Sequence, residues 1–365
     1  MNPLFTDLYQ LTMAYAEWKA GRHETHAVFE AFFRKAPFKG CYTVFAGTDE
    51  VLQFMREFRF QEAHLAYLKR QMPHFEDEFL DWLRNLSCDV VSMQGIRDGS
   101  IVFANEPLLR LEGPFTLLQL LETPILNLIN FASLVSTNAT RMNLVAGENH
   151  ECIEFGLRRA QGPNGALTAS KYAFMGGFTA TSNCYAGYLY NIPVAGTSAH
   201  SFIMSFESVD DIANSRMLAP KAGGEPVDLL EACMRVREEL GWTGTVLKEL
   251  YAYISFAVAY PNAFAALVDS YNTLESGVKN AVIVSLVLLD LGYRPIGIRL
   301  DSGDLSALSI SCREVFRDMR DRLGKDLTHM KIVATNDINE AVLNQLNEIG
   351  HEVDVFGIGT NLVTC

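Results

Sequence analysis

The chain is short of positive charge. Its 365 residues carry 30 Lys and Arg against 43 Asp and Glu, a net charge of −13. Nonspecific nucleic-acid binding draws on Lys and Arg to neutralise phosphates. No basic stripe with interleaved aromatics runs through the sequence, so no nucleic-acid partner is expected. The same deficit means that a site for an anionic ligand must gather its few cations locally. No two of the seven cysteines (Cys41, Cys88, Cys152, Cys184, Cys233, Cys312 and Cys365) form a CxxC pair. Their scatter and odd number argue against a disulfide frame or a zinc site and for reduced thiols in a cytoplasmic (cytosolic) protein. Low-complexity and long polar runs are missing, which excludes extended disorder. The opening MNPLFTDLYQ has neither the basic nor the long apolar region of a signal peptide. The longest apolar stretches, 115–137 and 250–268, are interrupted, the first by Gln119, Glu122 and Asn127 and the second by Pro261 and Asn262. A bilayer span needs about 20 apolar residues in a row. Both stretches therefore read as core, and no membrane partner is expected.

What is present is a large apolar fraction, 49% of residues, enough for a sizeable core. The length suggests about two domains, at roughly 100 to 200 residues each. Residues 1–150 mix elements without strict alternation. Short β-rich runs cover Ala27–Phe33, Tyr42–Phe45, Val90–Met93, Ile101–Ala104 and Leu108–Leu111. Amphipathic helices fit Asp49–Glu57 and Glu76–Leu83, and a long apolar one runs from Leu117 to about Ala146, with a bend near Pro124. This is a smaller N-terminal α+β domain. From 151 to 365 short apolar strands alternate with helices. Strands fit Ile153–Arg158, Thr179–Cys184, Val194–Thr197, Ala263–Ser270, Pro295–Asp301, Lys331–Thr335 and Val353–Ile358. Helices fit Val227–Leu240, Gly277–Leu291, Leu305–Leu323 and Asn339–Ile349. Such alternation implies a parallel sheet covered by helices, and seven strands favour an irregular (β/α) barrel over a flat sheet. An eighth strand and its helix are expected either from an earlier segment or beyond Cys365.

The strand Pro295–Asp301 places Ile296, Ile298 and Leu300 on one face and Gly297, Arg299 and Asp301 on the other. In a barrel the polar face points inward. An interior Arg and Asp are costly unless they serve a ligand or each other. The strand beginning at Cys152 repeats the pattern, with Ile153, Phe155 and Leu157 toward the helices and Glu154, Gly156 and Arg158 inward. A structural ion pair, Arg158 with Asp301 or Glu154 with Arg299, is the plain alternative. Ser302 and Asp304 suit a helix N-cap. Gly357, Gly359 and Thr360 end the last strand, where glycines let backbone N–H groups approach a phosphate. Thr335-Asn336-Asp337 either adds to that anion site or caps a helix. His200 follows a strand end and a small-residue loop, and its imidazole suits base, ligand or nucleophile. Gly162-Pro-Asn-Gly165 and Met175-Gly-Gly177 read as flexible loops, with Lys171 between them.

Five stretches in order then carry a resemblance over the whole chain: Thr6–Met13, Phe155–Gly162, Gly196–Phe202, Arg299–Asp304 and Gly357–Thr360. Together they resemble the nicotinate phosphoribosyltransferase family. The resemblance implies a type II phosphoribosyltransferase fold, an irregular α/β barrel with a smaller domain, acting as a homodimer. It implies formation of nicotinate mononucleotide and pyrophosphate from nicotinate and 5-phosphoribosyl-1-pyrophosphate in NAD salvage, with ATP as co-substrate and Mg²⁺ on the pyrophosphate. By the same resemblance Tyr9 would stack on the pyridine ring, and Thr197 and Arg299 would hold nicotinate. His200 would be phosphorylated transiently. Arg158, Gly357, Gly359 and Thr360 would bind phosphoribosyl pyrophosphate, and Asp301 would contact the ribose; no metal-ligating residue is singled out. Family members usually extend well over a hundred residues further at the C-terminus, which suggests a partial sequence or short isoform. Asp269-Ser-Tyr271 stands where the family often has Asp-Thr-Tyr. The related nicotinamide enzymes carry an Asp where this chain has Ser182-Asn183, which favours the acid substrate. An aldolase-like barrel would need an inward Lys, and Lys331 begins its strand.

Overall fold

The structure, a computed structural model, describes residues 1–365. The chain divides into two compact units. One comprises Met1–Thr140, Lys171–Gly176 and Cys365, and the other Arg141–Ser170 and Gly177–Thr364.

The first unit opens with α1 (Leu8–Lys19), β1 (His26–Ala31), β2 (Thr43–Val44) and α2 (Thr48–Glu57). It continues through α3 (Glu62–Gln71), α4 (Asp77–Asn85), β3 (Ser92–Gly95), β4 (Ile101–Val102), β5 (Leu109–Pro114) and into α5 (Phe115–Ala146). The order β1-β5-β3 makes an antiparallel sheet, and β2 pairs with β4. Leu109 and Leu111 of β5 are buried and alternate with partly exposed Arg110 and Glu112, the pattern of a sheet with one wet face. Phe79, Leu80 and Leu83 form the buried stripe of α4. Val44 and Ala46 donate backbone N–H bonds of 2.9 Å to the hydroxyls of Thr137 and Ser133 on α5. Gly47 permits this approach: it has φ 112°, and a Cβ there would lie 2.7 Å from the Leu128 carbonyl oxygen. By length and composition α5 is apolar enough to cross a membrane. Its Leu117, Leu118, Leu121, Ile125 and Ile129 instead join the buried core of this unit. The helix runs unbroken through Pro124.

The second unit is built on β6 (Glu151–Glu154), followed by α6 (Gly162–Met175), β7 (Ala180–Thr181), α7 (Cys184–Tyr190) and the short α8 (His200–Ile203). A small hairpin, β8 (Met217–Leu218) with β9 (Val227–Asp228), leads into α9 (Leu229–Glu239) and α10 (Leu247–Ala259). Strand–helix units then follow: β10 (Ala265–Leu267), α11 (Val278–Asp290), β11 (Gly297–Leu300), α12 (Leu305–Leu323), β12 (Lys331–Ala334), α13 (Glu340–Ile349), β13 (Val355–Ile358) and α14 (Thr360–Val363). Six strands pair in parallel in the order β10-β11-β12-β13-β6-β7, and Val194 adds a parallel bridge to Thr181. All seven expected strand positions are therefore in one wall. No ladder joins its Val194 end to β10, so the barrel is irregular.

Several expectations need correction. The strand from Ile153 stops at Glu154, because Gly156 turns into the αR region and Leu157–Arg159 forms a 3₁₀ turn. Its facing is also reversed. Ile153 and Phe155 line the interior, whereas Glu154 points outward, bonded to Ser170 and Thr181. Arg158 accordingly lies on the turn, not on an inward strand position. Gly162–Met175 is a helix rather than a loop, with Pro163 in its first turn where a missing N–H is harmless. Besides α6, the sequence pattern does not give α1, α3, α7, α8, α10 or α14. The strand expected over Thr179–Cys184 shrinks to two residues because the Asn183 side chain accepts from Ala186 N–H and starts α7. Lys331 does face the interior, at the N-terminal end of the wall, where it pairs with Glu151.

Candidate active site

Parallel pairing brings the C-terminal ends of all seven strand positions to one rim. Phe155 follows β6, Ser182 follows β7, and Thr197 and His200 follow Val194. Asp269, Asp301, Thr335 and Thr360 follow β10, β11, β12 and β13. Two cavities open there. One, of about 340 Å³, is lined by Phe155, Arg158, Ser182, Thr197, His200, Arg299 and Asp301, among others. The second, of about 160 Å³, is lined by Arg158, Arg159, Thr335, Asp337, Gly359 and Thr360, among others. They share Phe155, Arg158, Arg299 and Asp301. Arg158, Thr197, His200, Arg299, Asp301, Gly357, Gly359 and Thr360 are thus brought together. Tyr9 belongs to the first unit, where it is exposed on α1.

Arg299 and Asp301 reach the rim because β11 alternates as its sequence implies: Ile298 and Leu300 are fully buried, while the polar pair faces inward. Arg299 Nη2 donates to Asp301 Oδ1 at 2.9 Å, and its Nε donates to Thr335 Oγ1 at 3.0 Å. Its Nη1 makes only long contacts, 3.5 Å to Thr197 Oγ1 and 3.4 Å to the Ser198 carbonyl. The guanidinium carbon lies 6.0 Å from the Phe155 ring centre, within cation–π range. The Arg299–Asp301 pair therefore replaces either ion pair expected from sequence. Arg158 and Arg159 are exposed and have no carboxylate partner, so two cations remain free beside the smaller cavity.

Asp269 connects the two ends of the wall. Its side chain is only 1% exposed. It accepts from His200 Nε2 at 3.2 Å, from the Asp301 backbone N–H at 2.9 Å and from Ser302 Oγ at 2.5 Å. His200 Nδ1 lies 3.9 Å from Asp301 Oδ2. Burial alone would raise the Asp301 carboxyl, but the Thr335 hydroxyl, Arg299 and His200 outweigh it and hold it below the usual carboxylate range. The site keeps an anionic carboxylate among cations. Asp304 and Asn339 are the caps of α12 and α13. Asp301 and Thr335 are thereby left to the cavity. The sequence reading missed Asp269, Arg159 and Phe155 as members of the cluster, and left Thr335 open between this site and a helix cap; it lines the cavity, and Asn339 is the cap. A polar residue closing an apolar barrel strand was the available signal for Asp269.

No group of three His, Cys, Asp or Glu side chains converges as a protein-built metal cage would require.

Comparison with known proteins gives the family. Residues 4–130 match the nicotinate phosphoribosyltransferase N-terminal domain model, and residues 150–365 match the model of the nicotinate phosphoribosyltransferase family. The whole chain aligns with nicotinate phosphoribosyltransferases of Dictyostelium discoideum at 48% identity and of Homo sapiens at 44%. It spans 62% and 69% of their respective lengths. The crystal structure of human nicotinic acid phosphoribosyltransferase superposes with TM-score 0.89 at 42% identity, over 97% of this chain and 72% of that one. A nicotinate-nucleotide pyrophosphorylase from Pyrococcus furiosus (TM-score 0.65, 17% identity, 100% of this chain and 72% of that one) shares the fold.

Proposed function

The chain belongs to the nicotinate phosphoribosyltransferase family, and from that premise we propose that it joins nicotinate to 5-phosphoribosyl-1-pyrophosphate with coupled ATP hydrolysis, in NAD salvage. The observation that carries this reading is the shared rim: Arg158, Arg159 and Arg299 line it together with the carboxylate of Asp301, which Arg299 pairs and His200 approaches, and with Asp337 in the smaller cavity. The loosely engaged Nη1 of Arg299 and the Thr197 hydroxyl suit the nicotinate carboxylate. The unpartnered Arg158 and Arg159, with Gly357, Gly359 and Thr360, suit the phosphates.

In the reaction the pyridine nitrogen forms a bond to ribose C1 as the C1–O bond to pyrophosphate breaks. Positive charge grows on the sugar, and Asp301 stabilises it from a fixed position. Negative charge grows on the leaving oxygens, where the arginines act; Mg²⁺ enters as part of the pyrophosphate substrate. Pre-positioned charges of this kind need no reorganisation at the moment of reaction. ATP would transfer its terminal phosphoryl to a ring nitrogen of His200, releasing ADP, and water would later take that group as phosphate. A dianion there lies next to Asp301 and alters the field around both substrates. The exposed ring of Tyr9 remains for the stacking role that the resemblance implies. The same reading takes the protein to be a cytoplasmic homodimer.

Ser182 lines the larger cavity, while Asn183 is spent capping α7. No carboxylate other than Asp301 lines that cavity to repel an acid substrate. The test is nucleotide formation from nicotinate or nicotinamide at equal concentration, with phosphoribosyl pyrophosphate, Mg²⁺ and ATP. Preference for nicotinamide would overturn the substrate assignment. Full activity in Asp301→Ala would remove that carboxylate from the mechanism, and unchanged ATP dependence in His200→Ala would remove the phosphohistidine.

A further inference from the structure

The rim contains a closed ring of hydrogen bonds whose third member is an uncharged side chain. β11 pairs with β12 so that Leu300 lies opposite Ala334. One residue on, Thr335 stands across from Asp301, with its backbone N–H on the Leu300 carbonyl at 2.9 Å. The side chain is buried, the residue being 3% exposed. Its Oγ1 accepts from Arg299 Nε at 3.0 Å and donates to Asp301 Oδ1, while Arg299 Nη2 donates to the same Oδ1. Guanidinium, hydroxyl and carboxylate thus close a triangle. The hydroxyl has one proton, and the carboxylate is its nearer acceptor, with the Leu300 carbonyl further off at 3.3 Å; its lone pair takes the guanidinium N–H. With Oδ1 engaged twice, Asp301 presents Oδ2 toward His200 and the cavity. With Nε and Nη2 engaged, Arg299 has Nη1 left for a ligand. The other atom of the Thr335 fork, its Cγ2 methyl, fills the space beside Gly357, where an added Cβ would lie 2.6 Å away.

We propose that Thr335 is a positioning residue for the transfer reaction, its hydroxyl fixing Arg299 against the nicotinate carboxylate and Asp301 against the ribose in one arrangement. This rests on the functional reading above and adds the element that links its two halves. Fixing both groups by a neutral third partner leaves the charge of the rim unchanged and restricts only geometry, which matters because small misplacements of reacting groups are costly in rate.

The methyl and the hydroxyl of Thr335 make opposite demands on two near-isosteric variants. Thr335→Val keeps the branched shape and removes the hydroxyl; Thr335→Ser keeps the hydroxyl and removes the methyl. The experiment measures kcat and KM for nicotinate, with the pH profile of kcat/KM, in wild type and both variants. The expected result is a fall in kcat/KM of about 10- to 100-fold in the Val variant, the range for losing a hydrogen bond to charged groups, with both kcat and KM affected. The Ser variant should recover most of that loss. The acid limb in the Val variant should move up, because a proton donor to Asp301 is gone. The other charges around Asp301, namely His200, Asp269, Arg158, Arg159, Arg299 and Asp337, are the same in both variants. Near-wild-type kinetics in Thr335→Val, or a Ser variant as impaired as the Val variant, would overturn the proposal. If Thr335→Val does not fold, Thr335→Cys against Thr335→Ser makes the same comparison, since a thiol donates only weakly. Wild-type protein that forms no nucleotide would instead overturn the functional reading, and this inference with it.

Discussion

Asp269→Asn is the sharpest perturbation of the rim, because one buried carboxylate serves both ends of the strand wall. Asp269 holds three donors: His200 Nε2, the Asp301 backbone N–H and Ser302 Oγ. An amide keeps the size but offers one acceptor oxygen, and its NH₂ must face a donor. The contact to His200 loses its charge. A hydrogen bond to a charged group contributes about 1.5 to 3 kcal/mol, and about 1.4 kcal/mol is a factor of ten. The His200 side chain is 39% exposed, so water compensates in part and the lower end applies. The expected effect is about a tenfold loss in the ATP-dependent acceleration, with a smaller change in the rate without ATP. The assay is steady-state nucleotide formation with and without ATP, together with detection of phosphohistidine after brief exposure to ATP. Wild-type ATP stimulation in Asp269→Asn, in a protein where His200→Ala abolishes it, would refute the claim that this carboxylate positions the imidazole.

Glu154→Gln should destabilise the second unit by about 2 to 3 kcal/mol in chemical denaturation, since Gly156 N–H, Ser170 Oγ and Thr181 Oγ1 all converge on one buried carboxyl and an amide NH₂ would meet them; an unchanged midpoint would count against it. Ser182→Asp should shift preference away from nicotinate. Two unit charges about 6 to 8 Å apart, at an effective dielectric of about 20, repel by about 2 to 3 kcal/mol, the scale for two carboxylates sharing this cavity, read as the ratio of kcat/KM for nicotinate and nicotinamide. A carboxyl whose value in the folded protein lies below its ordinary one stays ionised as pH falls through the ordinary carboxylate range and protonates only lower. The Asp301 part of the activity should therefore persist below about pH 4 in brief assays and be lost as pH falls further; an acid limb at or above the ordinary range that disappears in Asp301→Asn would contradict this.

The sequence alone determined the parts that depend on local periodicity. Arg299 and Asp301 were legible as an inward polar pair because β11 alternates cleanly, with Ile298 and Leu300 buried behind them. The helix α12 was legible end to end because its apolar spacing and its Asp304 cap agree. The alternation of strands and helices after residue 150 implied a parallel wall, and parallel strands bring their C-terminal ends to one side.

Tertiary structure alone decided what depends on partners distant in the chain. The facing of Glu154 is set by Ser170 and Thr181, and no pattern within Cys152–Arg158 contains either. From Leu250 to Ala259 α10 is apolar except for Ser255, with its buried residues Leu250, Ala252, Tyr253, Ile254 and Ala257 and its partly exposed ones alike in type, so no helical stripe marks it in the sequence. Asp269 reads as the end of a strand until His200 arrives from 69 residues away. Thr335 reads either as part of an anion site or as a cap until the register of β11 against β12 sets it beside Asp301. Periodicity reports which face of an element is apolar; the pairing of strands, made by the packed chain, decides which polar side chains meet.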